Sequence, residues 1–153
     1  MNKFLDLAVN EAKKGVKNKE GGPFGAVIVK NGKVVSSAHN LVLKTKDPTA
    51  HAEISAIRKA SKKLKTFDLT GCEIYVTAEP CPMCLFAIQW ARIGKVVYGA
   101  SAKEVGRIGF RDEKFYDFLN NKKRSKLKLK KVKNENASLL LKEFNSNPNK
   151  KLY

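Results

Sequence analysis

His51 and Glu53 stand two residues apart in "HAEISAIRKA", and Cys81 and Cys84 stand three apart in "EPCPMC". Imidazole and thiolate are zinc ligands, and three of them leave one tetrahedral position open, which separates catalytic from structural zinc. The sequence holds no second Cys-x-x-Cys and no His-x-x-x-His that would close a four-ligand site. A carboxylate beside the open position can act as a base toward a water whose pKa the metal lowers to about 7. Taken singly, each residue has an ordinary reading. His51 alone is a satisfied polar residue, Glu53 alone a solvated helix charge, and the cysteines small hydrophobes or a redox pair. Their conjunction carries the chemistry.

The elements that must gather these residues can be read from local pattern. "MNKFLDLAVNEAKKGVKN" is an amphipathic helix, with Phe4, Leu5, Leu7, Ala8, Ala12 and Val16 on one face. "FGAVIVKNGKVVSSAHN" contains two β-rich runs joined by Asn31-Gly32, a strong hairpin signal. "LVLKTKDPT" reads as a polar loop leading to a helix that begins near Pro48 and Thr49 and carries His51. "CEIYVTA" has the short, β-branched character of a buried strand, and "CPMCLFAIQWAR" is a helix with Pro82 in its first turn. A strand "KVVYGA", a short helix "DEKFYDFLNN", a lysine-rich edge strand "KLKLKKVK" and a last helix "ASLLLKEF" follow. Strands alternating with helices predict an α/β fold, a three-layer α/β/α sandwich whose mixed five-stranded sheet opens with a β-hairpin. A cysteine in the first turn of a helix feels the positive end of its dipole, which favours the thiolate zinc requires.

Length and composition bound the rest. A chain of 153 residues, 42% of them hydrophobic, is large enough for one core-bearing domain and is not a disordered chain. The N-terminus lacks the apolar run of a signal peptide or membrane span, and three cysteines do not make a disulfide framework. A cytoplasmic protein with reduced thiols is expected. The net charge is +17, and residues 121–153 hold eleven basic and two acidic side chains. "KKRSKLKLKKVK", from Lys122 to Lys133, could bind nucleic-acid phosphates. Yet 26 of the 31 basic residues are lysine, whereas bidentate phosphate recognition favours arginine, so a solvated surface is the favoured reading.

The combined His-x-Glu and Pro-Cys-x-x-Cys pattern is the signature of zinc nucleobase deaminases. The whole chain resembles the cytidine deaminase-like superfamily, and within it the bacterial guanine deaminases. The resemblance is carried by "GGPFGAVIV", "DPTAHAEISAIRKA", "EPCPMCLFAIQWAR", "GFRDEKFY" and the closing "NPNKKLY". It implies one zinc per subunit, held by His51, Cys81 and Cys84, and hydrolysis of guanine to xanthine and ammonia. Glu53 would shuttle protons and Asp112 would face the leaving amino group, although Arg111 stands where an acidic neighbour is common. Phe24, Asn40, Ala52, Trp90 and Tyr153 would contact the base or wall its pocket. The resemblance also implies a homodimer in which a C-terminal segment, about 134–153, is exchanged between subunits of a single 1–153 domain. Two other functions remain open on sequence: a tRNA adenosine deaminase or another deaminase of purines or aminated heterocycles, and a non-enzymatic zinc-stabilised RNA-binding module.

Overall fold

The computed structural model describes residues 2–120, 130 and 135–149. Helix α1 (Lys3–Lys17) precedes the hairpin β1 (Gly25–Lys30) and β2 (Lys33–His39). Then come α2 (Val42–Thr45), α3 (Ala52–Leu64), β3 (Cys72–Ala78), α4 (Pro82–Trp90) and β4 (Lys95–Ala100). Helices α5 (Ala102–Arg107), α6 (Asp112–Leu119) and α7 (Glu135–Ser146) complete the order. Asn31 and Gly32 both take positive φ, 50° and 72°, the geometry of a tight hairpin turn.

The sheet runs β2-β1-β3-β4, with β1 antiparallel to both neighbours and β3 parallel to β4. It is mixed, as expected, but has four strands among the described residues rather than five. The expected fifth, over 126–133, falls outside them apart from Lys130. Side chains alternate across β1. Val27 and Val29 join Ala8 and Tyr75 beneath α1, while Ala26 and Ile28 join Ala52, Ala56 and Ile88 beneath α3 and α4. This period of two makes the three layers. Lys59 and Lys63 of α3 donate to the backbone carbonyls of Ser37 and Val35, each at 3.0 Å, along the edge strand β2.

Three local expectations change. The supposed loop after Asn40 contains the one-turn helix α2. Helix α3 begins at Ala52 rather than near Pro48, because Asp47 closes a turn by accepting from the Thr49 amide (2.8 Å) and hydroxyl (2.7 Å). Helix α5 is an addition. Ser101 and Glu104 form a reciprocal capping box at its start, a Ser-x-x-Glu signal present in "SAKE".

Candidate active site

His51 and Cys81 are the N-cap residues of α3 and α4. Both have extended backbones, with ψ 159° and 164°, so each side chain leaves its helix start instead of lying along it. Pro82 occupies the first turn of α4, where its missing N–H costs nothing. Cys81 follows the end of β3, which pairs in parallel with β4, so the cluster sits where open α/β sheets build their sites.

The three donor groups converge. His51 Nδ1 lies 3.6 Å from Cys81 Sγ and 3.5 Å from Cys84 Sγ, and all three donor atoms lie within 4.8 Å of one another. A tetrahedral zinc with ordinary Zn–N and Zn–S bonds requires an N···S separation of about 3.6 Å. The residues present therefore fit the ion. Their electrostatics agree with its chemistry. A hydrogen bond from Cys84 holds the Cys81 thiol down at about 4 and pushes Cys84 up in turn. The thiolate beside it raises His51.

Glu53, in the first turn of α3, is buried. Burial pushes its carboxyl up to about 7, where it can both take and return a proton near neutrality. It opens onto a cavity of ≈ 370 Å³, small for a ligand site, shared with His51, Cys81, Phe24, Asn40 and Asp112. Burial, reinforced by the Cys81 thiolate, raises Asp112.

Asn40 is itself buried, and its Oδ1 accepts from the amides of Val42 (3.1 Å) and Gly22 (3.4 Å). Its oxygen is thereby used, and its Nδ2 is left to donate. The same packing explains Gly21, where a Cβ would lie 2.2 Å from Asn40 Oδ1. Phe24 meets Phe110 edge to face, ring centroids 4.8 Å apart, at the cavity wall. Arg111 also borders the cavity, with its guanidinium over the Phe115 ring. Ala52 is fully buried at the start of α3, so its backbone N–H is what it can offer.

Trp90 lies elsewhere. It is 66% exposed and lines a separate hollow with Phe86, Gln89 and Arg92. Helix α4 starts at the metal ligands and carries Trp90 about 12 Å along its axis, at 1.5 Å per residue. Tyr153 falls outside the described residues.

Sequence reasoning gave no role to Glu79, Tyr116 or His39. Glu79 accepts from the Ala102 amide at 2.8 Å and ties the cavity rim to α5. The Tyr116 hydroxyl donates to the Pro80 carbonyl at 2.5 Å. Burial, followed by the nearby Glu79 charge, pushes that hydroxyl up to about 12 and keeps it a donor. His39 lies between two carboxylates, 2.6 Å from Glu20 and 3.4 Å from Glu11, while Lys44 of α2 grips Glu20 at 2.6 Å. This cluster anchors the backbone on either side of Asn40.

Residues 1–100 match the family model for the cytidine and deoxycytidylate deaminase zinc-binding region. A guanine deaminase of Bacillus subtilis is 50% identical over 113 residues, spanning 74% of this chain and 72% of that protein. A tRNA-specific adenosine deaminase of Aquifex aeolicus is also 50% identical, over 105 residues, or 69% of each chain. The crystal structure of guanine deaminase from Bacillus subtilis superposes with a TM-score of 0.92 and 40% identity, covering 100% of this chain and 99% of the other. Convergent zinc ligands, a buried glutamate and these matches together assign the chain to the cytidine and deoxycytidylate deaminase-like family of zinc deaminases.

Proposed function

We propose that this protein is a guanine deaminase, hydrolysing guanine to xanthine and ammonia. One observation carries the reading. Superposition on a guanine deaminase structure extends over the whole chain, so the likeness includes the α5–α6 region with Phe110 and Asp112 as well as the shared zinc motifs. His51, Cys81 and Cys84 hold the metal, which when bound supplies Lewis-acid activation of water. Glu53 takes a proton from the attacking water and delivers it to the ring nitrogen beside C2. Water oxygen joins C2, Glu53 takes the remaining proton of that hydroxyl and passes it to the amino nitrogen, and the C2–N bond breaks to release ammonia and leave the C2 carbonyl. Asn40 donates through Nδ2 to an acceptor on the base edge, Phe24 stacks on the ring, and Asp112 accepts from the amino group. The Ala52 amide adds a backbone donor.

The non-enzymatic alternative fits poorly, because an open three-ligand site with a buried carboxylate beside it is not a closed structural site. Action on tRNA adenosine has a specific observation in its favour, the equal identity to the Aquifex aeolicus enzyme. The basic segment 122–133 that would suit RNA lies outside the described residues apart from Lys130. Purified, zinc-loaded protein offered guanine, cytosine, adenine and an anticodon stem-loop separately should release ammonia from guanine. Release from the stem-loop alone would replace the first reading with the second.

We further propose a cytoplasmic homodimer in which the C-terminal segment crosses to the partner subunit and brings Tyr153 to its pocket. The exposure of Leu139, Leu140, Leu141 and Phe144 on α7, and of Phe86 on α4, supports an apolar face that a second subunit would cover. Exchange of identical segments gives a dimer at low cost, and a lid excludes water from a small polar site. Reduced surroundings suit three free cysteines, and no helix among the described residues is long and apolar enough to cross a membrane. Deleting Asn147 to Tyr153 should preserve zinc content yet lower guanine turnover at least ~10-fold. Full turnover by the truncated chain, or a wild-type monomer in sedimentation at micromolar concentration, contradicts the exchange.

A further inference from the structure

We propose that Tyr116 is a positioning residue: its hydrogen bond to the Pro80 carbonyl latches α6 to the metal loop and sets Phe110 and Asp112 over the cavity. The inference rests on the guanine reading only for its kinetic arm. No residue of α6 is buried, so apolar packing does little to fix this helix on the body of the protein. At its N-terminal side the chain passes Gly109 at φ +96°, a left-handed conformation that lets it turn sharply out of α5. The Tyr116 hydroxyl reaches Pro80 across 36 residues at 2.5 Å. Pro80 is bonded directly to the ligand Cys81.

Helical geometry makes the latch act on the site. Asp112 and Tyr116 are four residues apart and share one face of α6, and both are part-buried where their neighbours Glu113, Lys114 and Phe115 are exposed. A hydrogen bond at Tyr116 therefore fixes the rotation of the helix that aims Asp112 inward. Phe110, two residues before Asp112, meets Phe24 edge to face beside Gly22 and follows the same movement. Tyr116 itself is not among the residues lining the cavity, so it acts through the two that are.

Tyr116→Phe keeps the ring and deletes only the donor. In the zinc-loaded protein, amide exchange across residues 110–119 should quicken about tenfold while zinc content stays at one per chain. kcat/KM for guanine should fall about tenfold. Because the effect travels through Asp112, Tyr116→Phe added to Asp112→Asn should cost no more than about twofold beyond Asp112→Asn alone. Unchanged exchange overturns the latch. Quickened exchange with wild-type kcat/KM, or two losses that multiply in the double variant, overturns the positioning role. A wild-type protein inactive on guanine would defeat the functional reading instead, and the exchange comparison would still decide the latch.

Discussion

Cys84→Ala should purify without zinc and without activity. Cys84 is fully buried at the first turn of α4, and its Sγ stands 3.5 Å from His51 Nδ1. Its loss leaves two ligands where the ion needs three from the protein. Metal that binds only the folded chain stabilises it by mass action, about 4.1 kcal/mol at a thousandfold excess over Kd. For a domain of this length that corresponds to about 8–16 °C in Tm. Elemental analysis and thermal melts should show that loss together with the loss of zinc. A strong chelator should lower the wild-type Tm by a similar amount and leave Cys84→Ala where it is. Full zinc occupancy in the variant would remove Cys84 from the ligand set.

Glu53→Gln should separate chemistry from structure at the same site. Glutamine keeps the length of the side chain, but it cannot hold the proton that glutamate moves between water and ring. Guanine turnover should fall at least ~10²-fold, the low end for a positioned general acid–base. Zinc content should stay at one per chain, since no ligand is lost. Thermal stability should hold or rise, because a neutral amide in a buried position avoids the desolvation cost of a carboxylate. Near-normal turnover in a zinc-replete Glu53→Gln protein would falsify the proton-transfer role.

The zinc set was legible because each ligand is coded locally, by a helix start. Pro82 announces the first turn that Cys81 caps, and the periodic run after Ala52 announces the helix that His51 caps. Hairpin and sheet layers were legible for the same reason, through Asn31-Gly32 and the alternation along β1. What escaped was set by distance in the chain. Tyr116 finds Pro80, Glu20 finds His39, and Gly22 finds Asn40 only after the sheet has formed, and no short pattern encodes those meetings. Helix α5 is the exception, a missed element whose Ser101–Glu104 signal was in plain view. Trp90 shows how far one helix reaches. It lies one helix length from the ligands, yet a helix axis carries it out of the cavity they border.

Lys59 and Lys63 along β2 bear on how these molecules meet one another. Ammonium groups already occupy the Ser37 and Val35 carbonyls, so an incoming strand finds little template on that side. Filament growth needs two receptive margins on every unit. Two lysines on a helix therefore close the β2 margin to that kind of growth.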